Sequence, residues 1–299
     1  MIYILDKILI LSNKNSYSRI GGNMQIIDTH IHPELITNFQ KKKNNIEYSY
    51  EELIKDSKKN AVVKMFCIAT EIKNFVEYSY LATRFKEFYF SIGIHPTELL
   101  NMTLNDSLLE LEKKIIQEKK NNNKLIGIGE TGFDFFHTIE KEAGEMQEKA
   151  FRFQIEQSIQ FNLPLIIHTR NATEKTYQVL SQYKGKIKGT IHAFQDTTEW
   201  AKKFIDLGFM LGVGGVITYP KNTHIREAIQ AVGIDHILLE TDSPFLPPQS
   251  QRGKINFPKN CHEIGLFIAN LLKTEKESLF NKIYNNTINL FFPKKDNII

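Results

Sequence analysis

From Gln25 onward, short runs rich in β-branched and aromatic residues alternate with longer polar stretches whose apolar positions recur at helical spacing. The alternation predicts eight strands: Gln25–His32, Ala61–Thr70, Phe88–His95, Lys124–Thr131, Pro164–Thr169, Lys188–Phe194, Phe209–Gly215 and His236–Asp242. Helical spacing is clearest at Leu108, Leu111 and Ile115, and again at Leu279, Ile283 and Leu290. Two terminal helices, over about Pro258–Lys273 and Glu275–Phe292, are predicted after the last strand. Runs such as Leu165-Ile166-Ile167 and Ile237-Leu238-Leu239 are apolar at every position, as in strands covered on both faces. Eight βα units in one uninterrupted series predict an α/β fold, a single-domain (β/α)8 TIM barrel with extra C-terminal helices.

Residues 24–293 carry this alternation and are read as the barrel domain, with 294–299 as a C-terminal tail. The first 23 residues break it. Their apolar run holds Asp6 and Lys7 and lacks both a basic leading region and a small-residue cleavage site, so it makes a poor signal peptide. Polar Ser12 to Asn23 follows like a linker. Residues 1–23 are therefore expected to be an N-terminal extension outside the domain, read from an upstream start codon, with a short membrane-surface helix as the alternative. The Lys/Asn-rich tracts at 41–45 and 119–124 read as solvated connectors.

Composition narrows the class further. A chain of 299 residues that is 41% hydrophobic can bury a large core. Its 38 basic and 34 acidic side chains leave a net charge of +4, which excludes a histone-like tail but permits a local positive patch facing phosphates. Cys67 and Cys261 are too few for a disulfide scaffold or a four-thiolate zinc site, so a cytoplasmic location is expected. No run is long and apolar enough to span a bilayer, and neither a membrane nor an obligate protein partner is expected.

Active sites of such barrels gather at the C-terminal ends of the strands. Five of the nine histidines fall there: His30 and His32 on the first strand, then His95, His168 and His192 on the third, fifth and sixth. Glu130 ends the fourth strand, and the eighth ends Glu240-Thr241-Asp242. Residues two apart on a strand share a face, so His30 and His32 point the same way. Each position has an ordinary alternative: Glu130 as an acceptor for the glycine-rich turn, Asp242 as a cap, His168 or His192 as a core histidine. Those alternatives require a coincidence at five strand ends. Four imidazoles and two carboxylates make a ligand set for two divalent ions sharing a bridging carboxylate, with zinc, manganese, iron or magnesium as candidates. Two such ions polarise a phosphoryl or carbonyl oxygen and supply hydroxide, which points to a metal-dependent hydrolase.

These residues also lie in recognisable runs: Ile27-Asp28-Thr29-His30-Ile31-His32, Gly93-Ile94-His95-Pro96, Gly129-Glu130-Thr131-Gly132-Phe133-Asp134, Ile167-His168-Thr169-Arg170 and Leu239-Glu240-Thr241-Asp242-Ser243-Pro244. Arg252-Gly253-Lys254-Ile255-Asn256 and Asn286-Thr287 complete the set. Over Gln25 to Phe292 the chain resembles the TatD deoxyribonucleases, a branch of the amidohydrolase-like barrels. The resemblance implies that His30, His32 and Asp242 hold one ion, that His168 and His192 hold the second, and that Glu130 bridges them. It implies two divalent ions (magnesium, manganese or zinc) and a DNA substrate. Asp242 is implied as general base, Glu130 and His95 as further catalytic residues, and His95, Arg170 and Arg252 as substrate contacts.

The chain departs from the family pattern twice. His192-Ala193-Phe194-Gln195-Asp196 replaces the usual His-Cys-Phe-Ser-Gly, and Asn256-Phe257-Pro258 replaces Asn-Glu-Pro. Phe257 then has two readings, a ring for base stacking or packing under the terminal helices. Three functions compete. The first is a metal-dependent DNase with 3′→5′ exonuclease activity. The second is a metallohydrolase of carboxylic esters or amides, such as a D-aminoacyl-tRNA deacylase. A catalytically silent binding module is disfavoured because every ligand is present.

Overall fold

The computed structural model describes residues 24–293 apart from 102, 122 and 123. The extension 1–23 and the tail 294–299 lie outside the described residues. Eight strands follow one another in one parallel sheet ordered as in the sequence: β1 (Ile26–Ile31), β2 (Val62–Cys67), β3 (Phe88–Ile92), β4 (Leu125–Asp134), β5 (Leu165–Arg170), β6 (Gly189–Ile191), β7 (Phe209–Val213) and β8 (Ile237–Leu239). Ten α-helices occur among the described residues: α1 (Pro33–Asn44), α2 (Tyr50–Lys59), α3 (Ile72–Arg84), α4 (Leu104–Asn121), α5 (Glu140–Phe161), α6 (Thr173–Ser181), α7 (Thr198–Asp206), α8 (Thr223–Val232), α9 (Cys261–Leu272) and α10 (Lys276–Phe291). The expected (β/α)8 barrel is therefore the architecture, and α9 and α10 are the expected terminal helices. None of the described helices is long and apolar enough to cross a membrane.

The barrel closes where β8 meets β1. Beyond the end of β8 the backbone continues the pairing: Asp242 N–H donates to the His30 carbonyl at 2.9 Å, and His32 N–H donates to that of Ser243 at 2.8 Å. Fully buried Asp28 ties the same seam, accepting from the backbone N–H of Thr241 at 3.0 Å and from its hydroxyl at 2.6 Å. This seam fixes His30, His32 and Asp242 relative to one another.

Two apolar clusters divide the interior. The larger fills the layer between sheet and helices, with Met65, Phe88, Phe90, Leu165 and Leu211 among its members. The smaller gathers Ile27, Phe66, Ile126, Ile166 and Leu238 with Leu290 and Phe291 of α10, at the end of the strands away from the histidines. Apolar packing thus occupies one end and leaves the other to polar chemistry.

β1, β2, β3, β6, β7 and β8 all end sooner than the hydrophobic pattern predicts. β3 stops at Ile92 before His95, β6 stops at Ile191 before His192, and β8 stops at Leu239 before Asp242. Ala193 (φ 44°) and Asp242 (φ 59°), two and three residues past the ends of β6 and β8, adopt left-handed backbone. β4 runs further than predicted, through Asp134.

Candidate metal centre

Six side chains meet at the barrel mouth. His30 and His32 leave β1 on one face: His32 Nε2 lies 3.6 Å and His30 Nε2 3.9 Å from Asp242 Oδ1. Glu130 faces His30 from β4, with Oε2 3.4 Å from Nε2. His168 meets the other oxygen of Glu130, Nδ1 to Oε1 at 2.8 Å. His192 stacks on His30 with ring centroids 3.4 Å apart and turns Nε2 toward Asp242 Oδ1 at 3.7 Å. All six residues predicted as ligands are thus brought together, although His192 faces Asp242 and His30 more closely than it faces His168.

Local sequence explains how Glu130 gets there. Gly129 has φ 145°, and a Cβ on it would lie 2.4 Å from the Ile166 carbonyl oxygen. Only glycine lets β4 approach β5 this closely, and that approach sets Glu130 beside His168.

The donor chemistry fits a divalent cation. A tetrahedral ion with bonds of about 2.1 Å spaces its ligands about 3.4 Å apart, close to the separations among His30, His32, Glu130 and Asp242. Both ring nitrogens of buried His30 lack a hydrogen-bond partner, and so does Glu240 Oε2. Buried polar atoms left in that state are costly unless something else satisfies them. His30, His32 and Asp242 form one convergent trio of ligand atoms, and His95, Glu130 and His168 form another.

Electrostatics agree with that fit. Burial opposes charge on Glu130, yet His30, His95 and the hydrogen bond from His168 hold its carboxyl well below the usual range. Asp242 is likewise held low, its burial outweighed by His32, His192 and His30. Burial also opposes charge on His192, but Glu240 and Asp242 push it up to about 10. His32 and His168 are raised as well, their burial outweighed by Asp242 and by Asp134 with Glu130 respectively. His30 is lowered by burial and by His192. A cavity that draws protons onto three buried imidazoles has the negative potential to hold cations.

His95 behaves differently. Burial, and then the charge of His168, pushes it down to about 3. Its Nδ1 accepts from the Thr97 backbone N–H at 3.2 Å, so the neutral ring carries its proton on Nε2, 3.7 Å from Glu130 Oε1. That arrangement makes His95 a hydrogen-bond donor aimed into the centre.

Two further carboxylates, given no role in the sequence reading, support the ligands. Asp134 is fully buried and lies 3.1 Å from His168 Nε2, which turns Nδ1 toward Glu130. Glu240 Oε1 accepts from Ala193 N–H at 2.6 Å and sits 3.0 Å from His192 Nδ1, too far off the ring N–H direction for a formed hydrogen bond. The sequence signal for Glu240 was its place two residues before Asp242. For Asp134 it was a carboxylate ending the strand that carries Glu130.

The two arginines separate. Arg170 lies beside the metal donors in a cavity of about 540 Å³ that also touches His168, His192 and Asp242. Its guanidinium rests 4.0 Å over the exposed Phe136 ring and makes no ion pair among the described residues. Arg252 instead stacks 4.2 Å over Tyr219, against the segment after β7.

Comparison with known proteins agrees with the fold. Residues 27–292 match the family model described as TatD related DNase. An uncharacterized metal-dependent hydrolase of Buchnera aphidicola subsp. Baizongia pistaciae is 31% identical over 271 residues, covering 90% of this chain and 96% of that one. The crystal structure of YJJV, a TatD homolog from Escherichia coli K12, superposes with a TM-score of 0.80 at 27% identity, covering 90% of this chain and 99% of the other. An uncharacterized amidohydrolase from Saccharomyces cerevisiae shares the fold at a TM-score of 0.76, with 16% identity over 90% of this chain and all (100%) of that one.

Proposed function

The chain belongs to the TatD-related DNase family, and on that premise we propose that it is a divalent-metal-dependent phosphodiesterase, a DNase that shortens strands in the 3′→5′ direction. The observation that carries the reading is a buried cluster of four imidazoles and two carboxylates, with an arginine at its edge that forms no ion pair among the described residues. His30, His32 and Asp242 would hold one ion, His168 and His192 a second, and Glu130 would bridge. When bound, the ions supply Lewis acidity and lower the pKa of attacking water.

The chain's own residues do the rest. Asp242, kept ionised by three surrounding histidines, orients the attacking water and takes its proton. The water oxygen forms a bond to phosphorus as the bond to the leaving 3′ oxygen breaks. Arg170 meets the non-bridging oxygens with a planar fork, and stacking on Phe136 fixes that fork before substrate arrives. His95 Nε2–H donates a hydrogen bond to an oxygen that gains charge in the transition state. Burial of the centre strengthens each of these interactions.

The test uses metal-stripped protein and a 5′-labelled single-stranded oligonucleotide, with magnesium or manganese added back. A ladder shortening from the 3′ end, absent with Asp242→Asn, is the expected result. An oligonucleotide left intact in every metal sinks the reading and moves the substrate to carbonyl esters.

A further inference from the structure

A second cavity, of about 450 Å³, lies between α1 and the segment 251–260. Lys43, Lys254 and Lys259 line it with side-chain amides including Gln40 and Gln251, and no carboxylate is among its lining residues. Among the described residues Lys254 Nζ meets the neutral Gln251 Oε1, at 3.3 Å, and no carboxylate. Lys43 and Lys259 form no ion pair among the described residues; each lies over a ring, Phe39 at 5.4 Å and Phe257 at 5.2 Å. Neighbouring Asp56 is already engaged by Lys59 at 2.9 Å and by the Tyr48 hydroxyl at 3.1 Å. Three ammonium groups with no ion-pair partner among the described residues create a local field for an anion.

This cavity is joined to the metal centre by aromatic rings. Phe245, 41% exposed, stands edge-on to His32 with centroids 6.1 Å apart. Phe39 stands edge-on to Phe245 at 5.9 Å, and Lys43 sits on Phe39. Outward from the ligand His32, the surface thus presents two rings and then the lysines. Rings that accept flat bases beside cations that accept phosphates are the recurring grip on an unpaired strand. The first cavity, by contrast, carries the carboxylate of Asp196 as well as Arg170.

We propose that the cleft between α1 and residues 251–260 is a distal nucleic-acid subsite, where the phosphates of a single DNA strand meet Lys43, Lys254 and Lys259 while its bases stack on Phe245 and Phe39 on the way to the metal centre. The inference rests on the phosphodiesterase reading and assigns its substrate as a strand longer than the dinucleotide being cut. Phe257, whose sequence reading was divided, is half-buried, packs edge-on to Tyr48 and forms the floor under Lys259.

The experiment compares wild type with the triple variant Lys43→Ala, Lys254→Ala, Lys259→Ala. It measures kcat/KM on an oligothymidylate of about twelve residues and on thymidylyl-thymidine, and binding of the labelled oligonucleotide across a salt series in an Asp242→Asn background. The expected result is a drop of about tenfold or more in the preference for the longer substrate, carried by KM. The slope of log affinity against log salt should flatten by about two, since each phosphate contact on a single strand adds about 0.7. An unchanged length preference and salt slope overturn the subsite and leave the phosphodiesterase reading standing. Absence of hydrolysis, with oligonucleotide binding that the triple variant loses, sinks that reading and supports the subsite. Absence of both hydrolysis and lysine-dependent binding overturns both.

Discussion

Glu130 and His192 do their work through neighbours that the strand ends place with care. His192 Nδ1 faces Glu240 at 3.0 Å, and the same carboxylate accepts from the backbone that follows His192. Replacing Glu240 by Gln leaves the volume but removes the charge that Nδ1 faces. Metal affinity measured by competition with a chelating dye is expected to fall about 10- to 100-fold, the usual cost of losing a partner behind a ligand. Unchanged affinity would make Glu240 a packing residue. His30, His32 and His168 were legible as candidate ligands because spacing and strand ends expose them in the sequence, and the structure brings them together. Glu240 and Asp134 were not assigned, because their roles depend on which ring nitrogen each touches, and sequence carries no ring orientation.

At the level of elements, the strand series was legible and the strand ends were not. A run of apolar and β-branched residues reads as strand until a polar break. β6 and β8, however, end at Ile191 and Leu239, before His192 and Asp242, and the backbone turns left-handed only at Ala193 and Asp242. No hydrophobic pattern marks a non-glycine residue at positive φ. A second element-level contact was also silent in the sequence: Lys58 at the end of α2 pairs with Glu87, a buried carboxylate one residue before β3. Burial opposes the charge of Glu87, but Lys58 and its hydrogen bonds hold the carboxyl below its ordinary pKa. A depressed folded pKa means stability present above the unfolded value and lost as pH falls through the folded one. Glu87→Gln is therefore expected to cost about 0.5–1 kcal/mol at pH 7 in urea unfolding, with Lys58 partly exposed. The difference from wild type should shrink as pH falls below about 4 and vanish once Glu87 is protonated in the folded state; a difference that persists there would assign the cost to packing.

The whole molecule divides its barrel into an apolar end sealed by α10 and a polar end that concentrates charge. That division was visible in advance, since apolar residues begin the strands and ionisable residues end them. The route by which a substrate approaches was not, because Phe39, Phe245 and the three lysines come from segments far apart in the chain. Ions bound by the folded state alone should stabilise the whole barrel. At free metal about 100-fold above Kd the gain is about 2.7 kcal/mol. Metal-loaded protein should therefore melt about 5–10 °C above chelated protein. Equal melting temperatures would place metal binding outside the folded core.

Two ions joined by Glu130 in a buried centre can be counted. The experiment titrates metal-stripped wild type and Glu130→Ala with manganese, counting tightly bound ions while following oligonucleotide shortening. Two ions per wild-type chain, a rate that rises with the second, and loss of both the second ion and turnover in a still-folded Glu130→Ala are the predicted results. Full activity at one ion per chain, or unchanged turnover in Glu130→Ala, would contradict the account.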